Sequence, residues 1–382
     1  MLYVLIIISL IALVLIILVG YDAISALYEN LSHYHIGRWE NKQQWKNAVL
    51  KVCKKWSVKT PKLKLRDDCR YLLIDRLKGK YSKPMVQSWQ TAGCILGMKA
   101  FQENCFDSDF QKIKKQFLDK DGGWSVSVKK VDFAMLAYVL LKCEKDKQSI
   151  HKAMEQMIDC IEYNLCDDGM ISYSAGKNAR RRYVDTLGFV CPFLGLYGKI
   201  YNKTEYIDLA INQIKLFREK GFYKNFPVHC FQSVSEIPLG IYGWGRGMGW
   251  YSLGLTDLYL ELDDNLNKKV LAAYMKEAAE NWKRFERKDD GFSTIVQDQE
   301  HYDSSATVML GYFYAICGKE FDMQEYTDIA NRCLLKIIKH TKINGVIDGC
   351  LGDTKDIGVF SQRYGSMPFV QGMAIKLFAV LY

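Results

Sequence analysis

Two aspartates are the first candidates for chemistry, because each one lies where a polar loop meets an apolar helix. Asp132 and Asp185 both have this position, and Asp185 is followed by a wholly apolar run at residues 187–194. Apolar surroundings desolvate a carboxyl group, and three arginines at 180–182 precede Asp185. Desolvation and nearby charge are the conditions that tune acid/base groups. Asp303 occupies a similar position, and since aspartate is a preferred helix cap, all three could be caps without catalytic roles.

A glycine-rich segment at 243–250, Gly-Trp-Gly-Arg-Gly-Met-Gly-Trp, is the most specific pattern in the chain. Each glycine in a helix costs roughly 0.5–1 kcal/mol, so another role must offset that cost. Glycine lets backbone approach a ligand, Arg246 offers two parallel donors to a carboxylate, and Trp244 or Trp250 offers a flat face to a sugar ring. The alternative is a close helix contact with structural tryptophans and an arginine held in an ion pair.

Four further residues could face the same site. His229 lies in the loop ahead of the glycine-rich segment, Trp89 and Tyr302 lie near helix starts, and Lys177 could meet an anionic substrate. The plainer interpretations are a surface histidine, two core aromatic rings and a solvated lysine. The chain lacks HExxH, GxSxG, P-loop, EF-hand and CxxC patterns, which argues against metalloproteases, serine hydrolases, NTPases and a zinc site.

Helical segments of two kinds alternate along the chain. One kind is apolar nearly all round, at residues 86–101, 131–143, 185–200, 247–262, 303–317 and 365–382. The other is amphipathic, at residues 41–56, 106–118, 148–165, 204–220, 268–287 and 323–341. A helix without a polar face must be surrounded by protein. Six enclosed helices paired with six half-exposed ones therefore predict an all-α fold, an (α/α)6 toroid of six helical hairpins.

Loop lengths predict which rim of the toroid carries the site. Connections that enter an apolar helix are long and contain Asp-Gly or Gly-aromatic turns, whereas those that leave one are short. Long loops build binding surfaces, so Asp132, Asp185 and Arg246 are expected to meet on the rim where the apolar helices begin. Since no low-complexity segment interrupts the pattern, residues 41–382 are interpreted as one catalytic domain that follows a linker at 21–40.

The first twenty residues are apolar and uncharged, which matches the length that crossing a bilayer requires. Residues 1–20 lack the basic start of a secretory signal, and Ala23-Ile-Ser25 is only a weak cleavage site, so an uncleaved transmembrane anchor is favoured over a signal segment. Lysines and arginines lie downstream of the apolar stretch, and the twelve cysteines show no pairing pattern. Both features predict a single-pass membrane protein with a cytoplasmic catalytic domain.

The charge pattern narrows the class of partner. The chain has 52 basic and 43 acidic residues, a net charge of +9. These charges are interspersed and there is no arginine-rich arm, so they favour acidic ligands or an anionic membrane surface over nucleic acid. The aromatic content of 13% suits a surface that stacks on sugars, and equally a large helical core.

Three segments resemble motifs of the unsaturated uronyl hydrolases, glycoside hydrolase families 88 and 105. Arg-Tyr-Val-Asp-Thr-Leu-Gly-Phe-Val-Cys-Pro-Phe-Leu at 182–194 resembles their Trp-x-Asp-x-Leu-x-Met-x-x-Pro-Phe-Leu block. The segment at 244–250 resembles Trp-Ala-Arg-Gly-x-x-Trp, and Asp-Ser-Ser-Ala-Thr at 303–307 resembles an acidic-Ser/Thr-Ser-x-x block. The order and spacing of the motifs agree across residues about 85 to 382.

This resemblance implies an (α/α)6 hydrolase that removes a terminal 4,5-unsaturated uronic acid from lyase-cut polysaccharide fragments, without a metal or an organic cofactor. In the family, an aspartate protonates the double bond and activates the water that adds to it, and the hydrated sugar then rearranges and releases its partner. By resemblance, Asp185 is that acid/base and Asp132 is the second carboxylate. Arg246 faces the substrate, Trp250 stacks on its ring and His229 contacts it.

Some positions depart from the family pattern, namely Tyr183, Phe189, Met248 and Val308. These changes could shift substrate preference but involve no proposed proton-transfer group. The block around Asp185 favours a rhamnogalacturonan fragment as the substrate, and the block at 303–306 favours a glycosaminoglycan fragment. The motifs therefore leave open which polysaccharide supplies the substrate.

Two alternatives to this hydrolase also remain open. One is another toroid enzyme, such as an ordinary glycosidase or a sugar epimerase, which would be expected to rely on histidine or tyrosine. The other is a non-catalytic, membrane-anchored carbohydrate-binding protein, which would not need both carboxyl groups inside its cavity.

Overall fold

The computed structural model describes residues 1–34, 36–61, 72–78, 88–101, 106–176, 179–354, 357 and 360–382. Six helices form an inner ring: α4 (Ser88–Ala100), α6 (Ala134–Cys143), α8 (Asp185–Ile200), α10 (Gly245–Glu261), α12 (Ser304–Phe321) and α14 (Pro368–Leu381). Six more lie outside it: α2 (Lys42–Val58), α5 (Phe106–Phe117), α7 (His151–Tyr163), α9 (Thr204–Lys220), α11 (Leu266–Trp282) and α13 (Gln324–Lys339). Each inner helix packs against the next, and α14 packs against α4, so the ring closes. The predicted (α/α)6 toroid is confirmed.

Glycines allow the first and last inner helices to touch. A Cβ atom added to Gly372 of α14 would lie 1.8 Å from the carbonyl oxygen of Gly93 in α4. One added to Gly97 would lie 2.5 Å from the carbonyl oxygen of Gly372. Real Cβ atoms do not approach a backbone oxygen so closely, so only glycine permits this backbone contact. These three residues therefore close the ring.

A buried ion pair between Asp257 and Lys376 lies inside the ring, toward the C-terminal ends of the inner helices. Asp257 of α10 is 2% exposed, and its carboxylate accepts hydrogen bonds from Lys376 Nζ at 2.6 and 2.7 Å and from the Tyr312 hydroxyl at 2.7 Å. Burial lowers the pKa of Lys376, whereas Asp257 opposes that change. Buried charges persist when they are paired and hydrogen-bonded in this way. This end of the ring is packed core, which leaves the opposite rim for the site.

The repeated hairpins share one turn at the opposite rim. Single β-bridges close that turn after three outer helices, between Leu118 and Trp124, Leu165 and Ile171, and Thr341 and Ile347. Each turn contains a glycine in the left-handed region, Gly122, Gly169 or Gly345, with φ of 76°, 75° and 83°. An L-residue with a side chain rarely adopts such a φ, so these turns need glycine. We call the loops that enter the inner helices the working rim.

Short strands occur only in the working rim, within the part of the chain that the structure describes. They are β1 (Arg181–Tyr183), β2 (Phe222–Tyr223), β3 (Phe226–Pro227), β4 (Cys230–Gln232), β5 (Pro238–Leu239), β6 (Cys350–Leu351) and β7 (Tyr364–Gly365). All pairings are antiparallel, in the order β1-β4-β5 with separate β2-β3 and β6-β7 ribbons. The β1-β4 pair joins two different long loops, which brings their residues into one wall.

The N-terminal helix is longer than the sequence pattern indicates. Helix α1 (Leu2–His33) continues through residues 21–33, which the sequence pattern assigns to a linker. The segment contains neither glycine nor proline after Gly20, and contacts with the toroid hold it. Glu29 pairs with Lys342 at 2.8 Å, and His33 Nε2 lies 2.6 Å from Asp348 Oδ2. Helix α1 has the length and composition of a membrane span or a signal sequence, with mean hydropathy 3.5 over its most apolar part, none of which is buried.

The N-terminal helix also contacts the segment before α4. The backbone N–H of Leu73, the first residue of the short helix α3 (Leu73–Leu77), donates to Asp22 Oδ1 at 2.9 Å. Since Lys342 and Asp348 belong to the loop before α14, both sets of contacts involve the working rim. The end of α1 is therefore attached to the same rim as the candidate site.

Candidate functional site

Asp185 is the first residue of α8, and one residue, Val184, separates it from strand β1. Strand β1 pairs with β4, and the backbone N–H of Val184 donates to the carbonyl oxygen of His229 at 3.1 Å. This pairing places the start of α8 beside the residue that precedes β4. The predicted aspartate and the predicted histidine, 44 positions apart in the chain, are thus brought together by backbone hydrogen bonds.

The carboxyl group of Asp185 is poised to exchange a proton. Its Oδ1 atom is buried and has no hydrogen-bond partner among the described residues. Burial raises the pKa of Asp185 to about 7, although the charge of Arg246 opposes this and that of Asp353 reinforces it. A group with a pKa near the working pH is present in both protonation states, as general acid/base catalysis requires. The apolar surroundings that were predicted to desolvate the Asp185 carboxyl group are therefore present.

The arginines at 180–182 do not supply the cationic surroundings predicted for Asp185. Arg182 is buried, and it donates from Nε to Asp168 Oδ2 and from Nη2 to Asp168 Oδ1, both at 3.0 Å. The cation that acts on Asp185 is Arg246, from α10. Arg182 does not meet the prediction because its guanidinium is held by the Asp168 carboxylate.

Asp132 lies in a 3-10 turn, Val131–Phe133, immediately before α6. It is buried, and its Oδ2 accepts a hydrogen bond of 2.7 Å from the Tyr173 hydroxyl. Burial raises the pKa of Asp132, while Tyr173 and Lys130 lower it and the charge of Asp353 raises it. Tyr173 also lies 6.0 Å from Tyr183 and 6.4 Å from Phe189, ring centre to ring centre. Through Tyr173, Asp132 is connected to the wall that carries Asp185.

The three aspartates at helix starts have different functions in the fold. Asp303 caps α12, because its Oδ1 accepts from the backbone N–H of Ser305 at 2.8 Å and of Leu351 at 3.1 Å. The side chains of Asp132 and Asp185 do not cap their helices. The cap interpretation therefore holds for Asp303 and fails for the other two, which leaves their carboxyl groups for another purpose.

Arg246 is buried at the start of α10, and protein oxygens orient it. Its Nη1 donates to the carbonyl oxygen of Leu351 at 2.8 Å and to Ser305 Oγ at 3.2 Å, and its Nη2 donates to the carbonyl oxygen of Gly352 at 3.0 Å. No ion pair within the described residues involves this guanidinium, which lies 5.1 Å from the Trp244 ring. Arg246 therefore presents a positive charge to the site in a fixed orientation.

The glycines around Arg246 serve packing rather than ligand approach. A Cβ atom on Gly245 would lie 2.3 Å from the carbonyl oxygen of Ser293, and one on Gly249 would lie 2.7 Å from Met309 Cβ in α12. Both positions are filled by the protein itself. The close-contact alternative for this segment is correct for these glycines, although the arginine forms no ion pair with any residue that the structure describes.

Trp250 and Trp89 form an aromatic floor with Phe189 and Phe369. The Trp250 ring centre lies 4.7 Å from that of Phe189, 5.0 Å from that of Phe369 and 5.4 Å from that of Trp89. Both tryptophans are at most 4% exposed. Phe189 follows Asp185 by four residues in α8 and so lies one turn below it on the same face. The floor therefore lies beneath Asp185.

His229 and Trp244 form a second contact pair beside Arg246. Their ring centres are 4.6 Å apart, and His229 Nδ1 and Trp244 Nε1 are both buried without hydrogen-bond partners among the described residues. Burial, assisted by the charge of Arg246, lowers the pKa of His229 to about 4. The imidazole is consequently neutral at pH 7. Two unsatisfied ring nitrogens at one place are what a polar ligand would satisfy.

One predicted site residue, Tyr302, does not join this group. Tyr302 stacks on His340 at the end of α13, with ring centres 4.2 Å apart, and receives a hydrogen bond of 3.2 Å from Ser304 Oγ. Its ring also lies 5.2 Å from Lys336 Nζ. Tyr302 is thus enclosed against the outer helix, not beside Asp185. Lys177 lies outside the described residues.

A cavity of about 750 Å³ is lined by residues close in sequence to Asp132 and Tyr173. Its walls come from residues 126–130, from α7 and from Ser174. Lys129 and Lys130 line it together with Tyr163, which is 78% exposed. Neither Asp132 nor Asp185 is part of its lining, so it is a neighbour of the acidic site rather than the site itself.

Comparison with protein families decides the classification of the chain. Residues 78–377 match the family model of Glycosyl Hydrolase Family 88. The chain belongs to glycosyl hydrolase family 88. The match covers five of the six inner helices completely and the first ten of the fourteen residues of α14.

Solved structures share the fold of this family 88 protein. A possible member of family 105 from Klebsiella pneumoniae is 15% identical, with 90% of this chain and 94% of that chain covered at a TM-score of 0.73. The unsaturated glucuronyl hydrolase of Bacillus sp. GL1 is 17% identical, with 89% and 94% covered at a TM-score of 0.65. An unsaturated glucuronyl hydrolase specific for heparin is 14% identical, with 89% and 97% covered at a TM-score of 0.67. No curated protein sequence matches the chain significantly.

Sequence reasoning missed two residues that affect the candidate site: Tyr173, which donates a hydrogen bond to Asp132, and Asp353, whose charge raises the pKa of Asp132 and Asp185. Both lie in long loops of the working rim, Tyr173 after the Asp168-Gly169 turn and Asp353 after Gly352. Neither stands at a helix start, which is the signal that marks the other aspartates. Loop position alone could have marked them, because long loops before inner helices carry the site residues here.

Metal-ligating groups form one cluster within the described residues, and it lies elsewhere. Asp298, Glu300 and His301 are close together in the loop before α12, with Glu300 and His301 exposed. His301 Nδ1 pairs with Asp298 Oδ2. A surface ion pair of this kind accounts for the cluster.

Proposed function

We propose that this family 88 protein removes a terminal 4,5-unsaturated uronic acid from lyase-generated oligosaccharides by hydration of the double bond. The observation that carries the proposal is the state of the Asp185 carboxyl group. It is buried, its Oδ1 has no hydrogen-bond partner among the described residues, and its pKa is about 7 although the charge of buried Arg246 lowers it. Related structures support the substrate class. The Bacillus protein is described as responsible for degradation of glycosaminoglycan, and another relative is described with dGlcA-Glc-Rha-Glc.

In the proposed reaction, protonated Asp185 transfers its proton to C4 of the double bond, and positive charge develops at C5. A water molecule then adds to C5, and its proton returns to the Asp185 carboxylate, so the enzyme ends in its starting state. The hydrated sugar rearranges and releases the rest of the oligosaccharide. A pKa of about 7 suits both halves of this cycle, because the group must first give a proton and then accept one.

Other residues are assigned to binding. Arg246 attracts the uronate carboxylate. His229 Nδ1 and Trp244 Nε1 supply polar contacts, since neither has a hydrogen-bond partner in the described part of the chain. Asp132, held by Tyr173, is the second carboxylate and accepts hydrogen bonds from sugar hydroxyl groups. Trp250 and Trp89 form the floor beneath the sugar ring. A contact between Lys177 and an anionic group of the substrate remains a prediction.

An absorbance assay tests this function and separates it from its rivals. The full-length protein in detergent is incubated with lyase-generated disaccharides from heparin, chondroitin and rhamnogalacturonan, and the ultraviolet absorbance of the double bond is followed. We expect the absorbance to fall with at least one of the three substrates.

The rivals give different results in this assay. The toroid fold also occurs in a polysaccharide lyase, at 13% identity and a TM-score of 0.58, and a lyase acting on intact polysaccharide would raise the absorbance instead. An ordinary glycosidase would cleave the saturated disaccharide as well. Constant absorbance with all three substrates, or binding without turnover, would refute the hydrolase.

The apolar helix α1 is proposed to be an uncleaved single-pass anchor, with the toroid on the cytoplasmic side. Its 32 residues span about 48 Å, more than a bilayer core. Contacts of Asp22, Glu29 and His33 with the working rim give the rest of the helix a structural role that a cleaved signal would not have. The ten described cysteines are free thiols, as a reducing compartment favours.

Fractionation tests the anchor. The full-length protein is expected in the membrane fraction after alkaline carbonate washing and in solution only after detergent, whereas a variant lacking residues 2–20 is expected to be soluble. Protease added to sealed spheroplasts should leave the toroid intact if it is cytoplasmic. A mature protein whose N-terminus begins near residue 20 would show instead that the segment is a signal sequence.

A further inference from the structure

One face of the end of α1 is attached to the working rim by polar side chains. Glu29 pairs with Lys342 at 2.8 Å, and His33 Nε2 lies 2.6 Å from Asp348 Oδ2. One turn-multiple earlier, Asp22 Oδ1 accepts from the backbone of α3 at 2.9 Å. Seven residues separate Asp22 from Glu29 and four separate Glu29 from His33, so the three side chains lie on the same face of the helix.

The opposite face of this segment is apolar and open to solvent. Ile24, Leu27, Tyr28 and Leu31 are each more than half exposed, and their spacing places them along one side of the helix. Leu31 follows Glu29 by two residues, which is about 200° around the helix axis. We call these four residues the apolar stripe. An exposed apolar surface bordered by polar groups is typical of a site that contacts a partner.

The partner that fits the apolar stripe is the membrane. The stripe continues the apolar part of α1 without a break in the helix, and none of that part is buried. Three exposed tyrosines, Tyr21, Tyr28 and Tyr34, lie at this end of α1, and tyrosine is enriched where a membrane meets water. Arg38, which is also exposed, follows the helix and attracts anionic headgroups.

The length of α1 allows the apolar stripe to reach the membrane surface. Its 32 residues extend about 48 Å, whereas the bilayer core with its headgroups measures about 40–45 Å. A tilt of about 30°, within the usual range of about 0–40°, reduces the extent of the helix along the membrane normal to about 42 Å. If the helix leans toward the stripe, the stripe enters the headgroup layer and the opposite face, with the toroid, stays above it.

We propose that the apolar stripe lies in the headgroup layer of the membrane, so that α1 is tilted and the working rim is held at the lipid surface. Lys342 and Asp348, which hold α1, belong to the loop before α14. In the same loop, the carbonyl oxygens of Leu351 and Gly352 accept hydrogen bonds from Arg246. The loop that orients this guanidinium is therefore the one nearest the lipid. The inference rests on the proposed anchor and does not depend on the hydrolase reaction.

Photocrosslinking to lipid tests the position of the apolar stripe. The photoreactive amino acid p-benzoylphenylalanine replaces Tyr28 in one full-length variant and Asn30 in another, and each is reconstituted into vesicles of phosphatidylethanolamine and phosphatidylglycerol. Asn30 is the matched control because it is exposed, lies two residues further along and points about 200° away around the helix. We expect mass spectrometry to find at least about fivefold more lipid adducts at position 28 than at position 30.

A third variant, with the same amino acid in place of exposed Ile11, separates this inference from the proposed anchor. Lipid adducts at position 11 are expected if residues 2–20 span the bilayer, and their absence would refute both the anchor and the inference. Adducts at position 11 with equal yields at positions 28 and 30 would overturn the inference alone. Crosslinks from position 28 to a second copy of the chain would also overturn it, because the stripe would then be a contact between copies.

Discussion

Asp185→Asn is expected to lower the rate of double-bond loss by at least about a thousandfold, since asparagine cannot transfer a proton. The fold should survive, because Oδ1 of Asp185 makes no hydrogen bond to the described residues and an amide is close to a carboxylic acid in size. The assay follows ultraviolet absorbance with the best of the three disaccharides. Far-ultraviolet circular dichroism and gel filtration of the variant serve as the fold control.

Thermal unfolding gives the same variant a second readout. The pKa of Asp185 rises from its ordinary value of 3.8 to about 7 in the fold, so the native state keeps a proton that the unfolded chain has lost. Its contribution to stability is complete below pH 3.8 and is lost as the pH rises through 7. Asp185→Asn lacks this pH dependence. The Tm of the variant minus that of the wild type should therefore be larger at pH 8 than at pH 5. Full activity, or an unchanged pH dependence of Tm, would contradict the assignment.

Arg246→Met is expected to damage both stability and activity. The substitution leaves the carbonyl oxygens of Leu351 and Gly352 without their donor, and each buried unsatisfied group costs about 1–3 kcal/mol. We expect a lower Tm, a higher KM for the anionic substrate and a kcat/KM reduced by at least about a hundredfold. The pKa of Asp185 should also rise above 7, because the opposing positive charge is gone.

The direction of the pH effect distinguishes Arg246 from a residue that only supports the fold. The alkaline limb of the kcat/KM profile of Arg246→Met should move to higher pH, at whatever residual rate can be measured. Arg246→Lys keeps the charge but loses the planar fork, so it should retain the position of the limb while Tm falls. A limb that does not move in Arg246→Met would show that Arg246 and Asp185 are not electrostatically coupled.

The fold could be predicted because its signal is local. Each inner helix is apolar on every face and each outer helix on one face, and a hairpin of the two can bury its surface only by stacking against others. The exact helix ends were less predictable. Helix α11 ends at Trp282 rather than at residue 287, because a 3-10 turn at Lys283–Phe285 follows it.

The candidate site was predictable where its residues stand at helix starts, and less so elsewhere. Asp132, Asp185 and Arg246 could be found because the repeat places all inner-helix starts on one rim. Tyr302 has the same kind of position yet stacks on His340, since a ring beside an outer helix finds a partner there. Tyr173 has no helix to mark it, and only its hydrogen bond to Asp132 shows its link to the candidate site.

By itself, the sequence determined the alternation of enclosed and half-exposed helices, and with it the ring and the rim on which chemistry can occur. Hydrophobic periodicity is a property of neighbouring residues, so it can be read along the chain. The tertiary structure alone decided which cation acts on Asp185 and which aspartate is a cap. Electrostatic interactions depend on distance through space and on desolvation, and neither quantity follows from separation along the chain.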